Sequence, residues 1–295
     1  RMEPKVSGWN KSGVVTEPLC RHTAYMQRVA LVTGAGRGIG AAVALRLART
    51  GTAVLCAARS LESVHDTADA ILAAGGTAWA VHLDVTDPLT FDDAIAEHGE
   101  AIERRGGIAW LINNAGIAET APFLRHGRET GVDLYEKHLR TNFHGPRRLI
   151  ERFAPEMLER GHGRIINVAS SAGLRGYPYA AAYVASKHAL VGYTRCAAAE
   201  LAGKDVTMNL VCPHYVDSPM TEQTVARIVK KTGRPAAEVR EFLAKENPGG
   251  SLVSCEEIAD VVARLCGGDD NGMLVELIGG RGLIPDAQAE QWRAL

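Results

Sequence analysis

From Arg28 onward, short apolar runs alternate with longer amphipathic or Ala-rich segments. The runs are "RVALVT", "AVLCAA", "AWAVHLDV", "IAWLINNAG", "RIINVAS", "VTMNLVCP" and "MLVELIGG". Apolar runs of this length read as buried strands, and the segments between them read as helices. Strands alternating with helices predict an α/β fold, a doubly wound parallel sheet covered on both faces. The one long interruption lies between Val216 and Leu252. There, two short helices followed by "NPGGSLV" predict a helical lid over about residues 217–251. Residues 1–27 mix Pro, Gly, charges and scattered aromatics without a period, which predicts an extended N-terminal arm and leaves 28–295 as a single domain.

Composition narrows the function. The 295 residues are 46% hydrophobic with a net charge of −1, as in an ordinary globular protein. With no long block of one sign, neither nucleic acid nor an anionic membrane surface is expected as a partner, and a small molecule is. No stretch reaches the length of a membrane span, and the first residues lack the apolar core of a signal peptide. The six cysteines include no C-x-x-C pair and the ten histidines form no ligand cluster, so no metal site is expected. The cysteines read as small buried residues in a reducing compartment, the cytoplasm, and the histidines as surface or packing residues.

The first strand-to-helix turn is "TGAGRGIG", residues 33–40. Gly34, Gly38 and Gly40 there allow a tight turn, close approach of a pyrophosphate, and an open helix N-terminus to receive it. Taken with "LDV" at 83–85, "NNAG" at 113–116, Asn142, Ser170, "YVASK" at 183–187 and "CPHYVDSPM" at 212–220, the ordered set resembles the short-chain dehydrogenase/reductase family over residues 28 to about 280. The resemblance implies a seven-stranded Rossmann sheet and an NAD(P)-dependent interconversion of carbonyl and alcohol.

That chemistry explains the pairing of Tyr183 with Lys187. Hydride transfer to a ketone builds an alkoxide, which needs a proton donor in reach; Tyr183 fits. A tyrosine titrates near 10, so a cation one helical turn away, Lys187, would favour its phenolate. By resemblance Lys187 also holds the nicotinamide ribose, Ser170 orients the carbonyl, and Asn142 holds a water that completes a proton relay. The glycine loop, Gly34, Arg37, Gly38, Ile39 and Gly40, is expected against the cofactor. So are Asp84 and Val85 at the adenine, Asn114, Ala115 and Gly116 under its ribose, and Pro213, Val216 and Ser218 near the nicotinamide.

An NAD-preferring enzyme typically places an acid at the end of the second strand; here that position is Ala58, followed by Arg59. Arg59 and Arg37 can bracket a 2′-phosphate, so NADP(H) is preferred and NAD(H) is possible. One departure from the family is His214, where glycine usually follows the proline; it puts the local turn and the pocket wall in question. Arg227, Lys230, Lys231 and Arg234 in the lid form a basic cluster that could meet CoA or acyl carrier protein, or else a solvated helix face. The segment "NPGGSLVSCEEIADVV" resembles the lid end of ketoacyl reductases and hydroxyacyl dehydrogenases, with Ser251 where many have arginine.

Three readings compete: an NADPH-dependent reductase of β-ketoacyl or polyketide-like carbonyls, an NAD-dependent alcohol or 3-hydroxyacyl dehydrogenase, and a non-catalytic nucleotide-sensing protein. Intact Ser170, Tyr183 and Lys187 argue against the third. By resemblance, the helix opening near Tyr183 and the one around "RRLIERFAPEMLE" pack across a two-fold axis, and the chain end helps form a second. A homotetramer is therefore expected, with the Ala197-Ala198-Ala199 run at the axis.

Overall fold

Each apolar run becomes a strand: β1 Val29–Thr33, β2 Ala53–Ala58, β3 Ala78–His82, β4 Ile108–Asn113, β5 Gly163–Val168, β6 Val206–Pro213 and β7 Leu274–Gly279. The computed structural model describes residues 28–125, 133–280 and 282–286, so the expected arm over 1–27 lies outside the described residues. The seven strands are parallel, in the order β3-β2-β1-β4-β5-β6-β7. An eighth, β8 Gly282–Asp286, pairs antiparallel with β7. The apolar pattern does not predict it, because "GLIPD" is short and carries Pro285, a residue tolerated only at a sheet edge.

The helices are α1 Gly38–Ala48, α2 Glu62–Ala73, α3 Leu89–Ala96, α4 Gly99–Glu103, α5 Leu134–Leu139, α6 Gly145–Glu159, α7 Ala181–Glu200, α8 Pro219–Thr232, α9 Ala236–Glu246 and α10 Cys255–Gly267. A π-helical turn, Arg140–His144, joins α5 to α6. The run in β1 is unbroken because its alternate residues face different cores. Ala30 and Val32 pack with residues of α1, α2 and α10, whereas Val29 and Leu31 pack with residues of α3, α4, α6 and α7. Each large aliphatic side chain buried in this way contributes about 1.5–3 kcal/mol.

The segment expected to form the lid folds as the two helices α8 and α9. Val225, Val239 and Leu243 are buried together, with Tyr215, Ile228, Val229 and Leu252 packed against them. The lid thus has a small core of its own, seated on Tyr215. Helix α8 stops at Gly233, whose φ of 71° is the left-handed C-cap that favours glycine.

Ala198 departs from expectation. It is fully buried against its own chain, in the core that includes Leu201, Val206 and Met208. Helical phase explains this: the outward face of α7 carries Ala185, His188, Gly192 and Cys196 instead. An arginine at position 198 would be driven into the core and would report on folding, not on assembly. The chain end assigned to a second axis lies largely outside the described residues.

Candidate active site

The strand order reverses between β1 and β4, and an open parallel sheet binds its ligand beyond the carboxyl ends at such a point. There the glycine turn leads into α1. Its N-cap residue, Arg37, makes no side-chain capping bond, and the first turn carries no acid. Helix α10 is the contrast: Ser254 and Glu257 form a reciprocal capping box, at 3.1 and 2.7 Å. An uncapped N-terminus facing the sheet's carboxyl edge suits an anion. Close approach accounts for Gly40, where a Cβ would lie 2.1 Å from Gly34 O. Gly38 has a φ of 55°, and a Cβ there would stand 3.3 Å from Pro219 and 3.7 Å from Ser218, so the loop directly faces the start of the lid. The residues present therefore fit a dinucleotide pyrophosphate.

"NNAG" braces this loop. Asn114 Nδ2 donates to Thr33 O at 2.9 Å and to Gly34 O at 3.2 Å, while the N–H groups of Asn114 and Ala115 donate to Thr33 Oγ1. Asp84 accepts from the N–H and hydroxyl of Thr86, both at 2.8 Å, and Val85 is buried. Beyond Ala58, Arg59 and Arg37 are both exposed.

Ser170, just past β5, Tyr183 and Lys187 on α7, and Asn142 in the π-helical turn come together. The side chain of Ser170 lies near enough to the Tyr183 hydroxyl to act on its titration. Lys187 is buried, donates from Nζ to Val168 O at 2.9 Å, and lies 5.9 Å from the centre of the Tyr183 ring. A Cβ on Gly116 would be 3.2 Å from Asn142 Oδ1 and 3.8 Å from Lys187 Nζ, so both groups converge where "NNAG" has no side chain. Asn142 also accepts from Ile117 N–H at 2.9 Å and donates to Ile117 O and Ser186 Oγ, each at 3.0 Å. Ser171 is turned away, with its hydroxyl 2.8 Å from Tyr177 OH.

Burial sets the protonation states. It pushes Tyr183 up to about 12, against the opposing effect of Ser170, and brings Lys187 down to about 8. Desolvation is the largest influence on Tyr183, while Lys187 Nζ is bonded to the carbonyl of Val168. Near neutrality Tyr183 is therefore a phenol, the form that can give a proton.

Val216 forms a parallel bridge with Val253 through Tyr215 O and Asp217 N–H, which leaves its own N–H and C=O out of the bridge. Pro213 ends β6, and Ser218 is the N-cap residue of α8. His214 does not take the left-handed backbone glycine would permit; among the described residues Tyr179 is the only non-glycine with positive φ.

Two residues escape sequence reasoning. His138 is buried edge-on to Tyr183, ring centroids 6.2 Å apart, with Nε2 accepting from Glu119 N–H and Nδ1 bonded to Leu134 O. Asn247 roots the lid: it accepts from Tyr215 N–H and donates to Tyr215 O and Ser251 O, at 2.8–2.9 Å. Its position before Pro248 in "NPGG" was the available signal. Two of the four basic residues are engaged, since Arg227 donates to Ala118 O at 3.0 Å and Arg234 pairs with Glu238 at 3.7 Å. Among the described residues no metal-binding group of His, Cys, Asp and Glu occurs, and no helix is long and apolar enough to cross a membrane.

The chain is similar to known proteins over most of its length. Residues 28–228 match the family model described as short chain dehydrogenase. The short-chain reductase protein NovJ of Streptomyces niveus is 37% identical, over 86% of this chain and 94% of its own length. The L-2,3-butanediol dehydrogenase of Corynebacterium glutamicum is 36% identical, over 83% and 94%. A variant of actinorhodin polyketide ketoreductase crystallised with NADPH superposes with a TM-score of 0.79 at 33% identity, covering 88% of this chain and 99% of that one.

Proposed function

The chain belongs to the short chain dehydrogenase family, and from that premise we propose that it uses NADPH to reduce a β-ketoacyl or polyketide-like ketone to a secondary alcohol. The observation that carries the reading is the meeting of Ser170, Tyr183 and Lys187 beside the uncapped start of α1. A nicotinamide held there supplies the hydride. The protein's part is to place and protonate the carbonyl oxygen. Ser170 and Tyr183, side by side in the site, offer two hydroxyls to one oxygen, and Tyr183 gives its proton as negative charge develops. Lys187, which titrates near 8, then restores that proton, and Asn142 holds the route open beside Gly116.

The missing acid at Ala58 and the exposed guanidinium groups of Arg59 and Arg37 favour NADP(H) over NAD(H). Arg59→Asp is expected to raise the KM for NADPH by about tenfold or more, the effect of replacing attraction to a 2′-phosphate by repulsion, and to bring NADH nearer parity. An unchanged KM for NADPH would leave the second reading, an NAD-dependent alcohol or hydroxyacyl dehydrogenase, in its place. Lys230 and Lys231 on α8 keep a substrate carried on CoA or acyl carrier protein within the proposal, beside a free small molecule. Turnover of a panel of ketones and alcohols with NADPH and NADH tests the whole reading; no turnover with any of them sinks it in favour of nucleotide sensing.

The working assembly in this proposal is a homotetramer, supported by the small, exposed residues along α7, and its setting is the cytoplasm, supported by the free thiols of the described cysteines. A Cβ on Gly192 would meet nothing within 4 Å, so Gly192→Arg tests the α7 face without disturbing the core. Light scattering should show the wild type as a tetramer and the variant as smaller species. A variant that assembles normally would remove α7 from the interface.

A further inference from the structure

His214 stands where the family usually has glycine, and its side chain is only 1% exposed. Its Nε2 lies 2.6 Å from Glu276 Oε1, and Glu276 sits on β7 opposite Cys212. The same carboxylate oxygen accepts from the Arg175 guanidinium. Because Nε2 must donate to a carboxylate, the neutral ring carries its lone pair on Nδ1, which is buried and has no partner among the described residues. The bond to Glu276 is thus the side-chain hydrogen bond that orients this ring.

Arg175 belongs to the turn that leaves Ser170. Gly173 N–H donates to Ser170 O at 2.8 Å, and the N–H groups of Leu174 and Arg175 donate to Ser171 O at 3.0 and 3.1 Å. Two residues on, the Tyr177 hydroxyl meets Ser171 Oγ, and its ring meets Tyr215 edge-on with centroids 6.3 Å apart. The segment after β5 is therefore fastened to the segment after β6 at two places: a ring contact at Tyr215 and an ionic contact reached through Glu276. Glycine at 214 would leave Glu276 to Arg175 alone.

We infer that His214 is a positioning residue that determines specificity: by holding Glu276, and through it Arg175, it fixes the Ser170–Tyr177 segment as one wall of the carbonyl site. This rests on the proposed reading of Ser170 and Tyr183 as the groups that receive the carbonyl. His214 makes its side-chain hydrogen bond to Glu276 and none to either of them.

The test compares wild type with His214→Ala, His214→Gln, Glu276→Ala and the double variant His214→Ala/Glu276→Ala, on a ketone that the wild type reduces. Losing a hydrogen bond to a partly buried carboxylate should raise the KM for the ketone about tenfold in His214→Ala, while the KM for NADPH stays within about twofold. Gln, whose amide can donate to the same oxygen, should recover most of the loss. The double variant should be no worse than the poorer single variant, because both substitutions break one chain of contacts. If His214→Ala does not fold, Glu276→Gln, which keeps shape but drops the charge, should shift the ketone KM in the same direction. A packing role would instead lower Tm, leave the ketone KM at the wild-type value and show no rescue by Gln; that pattern overturns the inference. A wild type that turns over no ketone at all overturns the reading of the site and this inference together, an outcome distinct from the loss of the KM split alone.

Discussion

Tyr183→Phe should bind NADPH within about twofold of wild type and lose about 10²–10⁴-fold in kcat, the usual worth of one positioned proton donor. The phenyl ring keeps the edge contact with His138 and the face turned toward Lys187, so packing survives. What disappears is a hydroxyl beside Ser170, which burial holds in its protonated form by pushing it up to about 12. Steady-state kinetics paired with a cofactor titration separates the two effects. A variant that keeps its kcat within about threefold would place the proton source elsewhere and end the proposed mechanism.

Lys187→Met should also be inactive, yet more stable than wild type at neutral pH. Burial brings Lys187 from 10.5 to about 8, so holding it charged costs the fold about 3 kcal/mol. Methionine fills similar volume but abandons Val168 O, which takes back about 1–2 kcal/mol. The net gain is about 1–2 kcal/mol at pH 7. Its pH dependence has a definite sign. Between pH 8 and 10.5 the unfolded chain holds a proton at this position that the folded chain has released, so wild-type stability climbs and the advantage of the variant shrinks. Denaturant unfolding of both proteins at about pH 7 and pH 10 measures this. A variant less stable than wild type at neutral pH would mean that the buried ammonium is well compensated.

The sheet was legible because its strands are buried on both faces: an unbroken run such as "RVALVT", too short for a helix of its own, suits a strand covered by helices above and below. Strand β8 was not, because a short edge strand bearing Pro285 leaves no periodic trace. Within the site, Tyr183 and Lys187 could be paired because they stand one helical turn apart, while Ser170 at its strand end was assigned by the family resemblance. The protonation balance between Tyr183 and Lys187 could not be read in this way, since it depends on how deeply the surrounding fold buries them. Ala198 points inward for a related reason: a run of three alanines specifies small size but not which way the helix turns. His138, His214 and Asn247 each have a partner 19, 62 or 32 residues away, and contacts over such separations exist only once the chain has folded.

The bare start of α1 has a thermodynamic side as well. Where α10 closes its own first turn with Ser254 and Glu257, α1 has no side chain in that role, and in the proposed reading the cofactor's pyrophosphate fills it. A ligand that binds only the folded state stabilises it by RT ln(1 + [L]/Kd), about 2.7 kcal/mol at a hundredfold excess over Kd. The folding equilibrium of this chain is thus tied to the concentration of free dinucleotide around it, and a shortage of cofactor would be felt as a larger unfolded fraction as well as slower turnover.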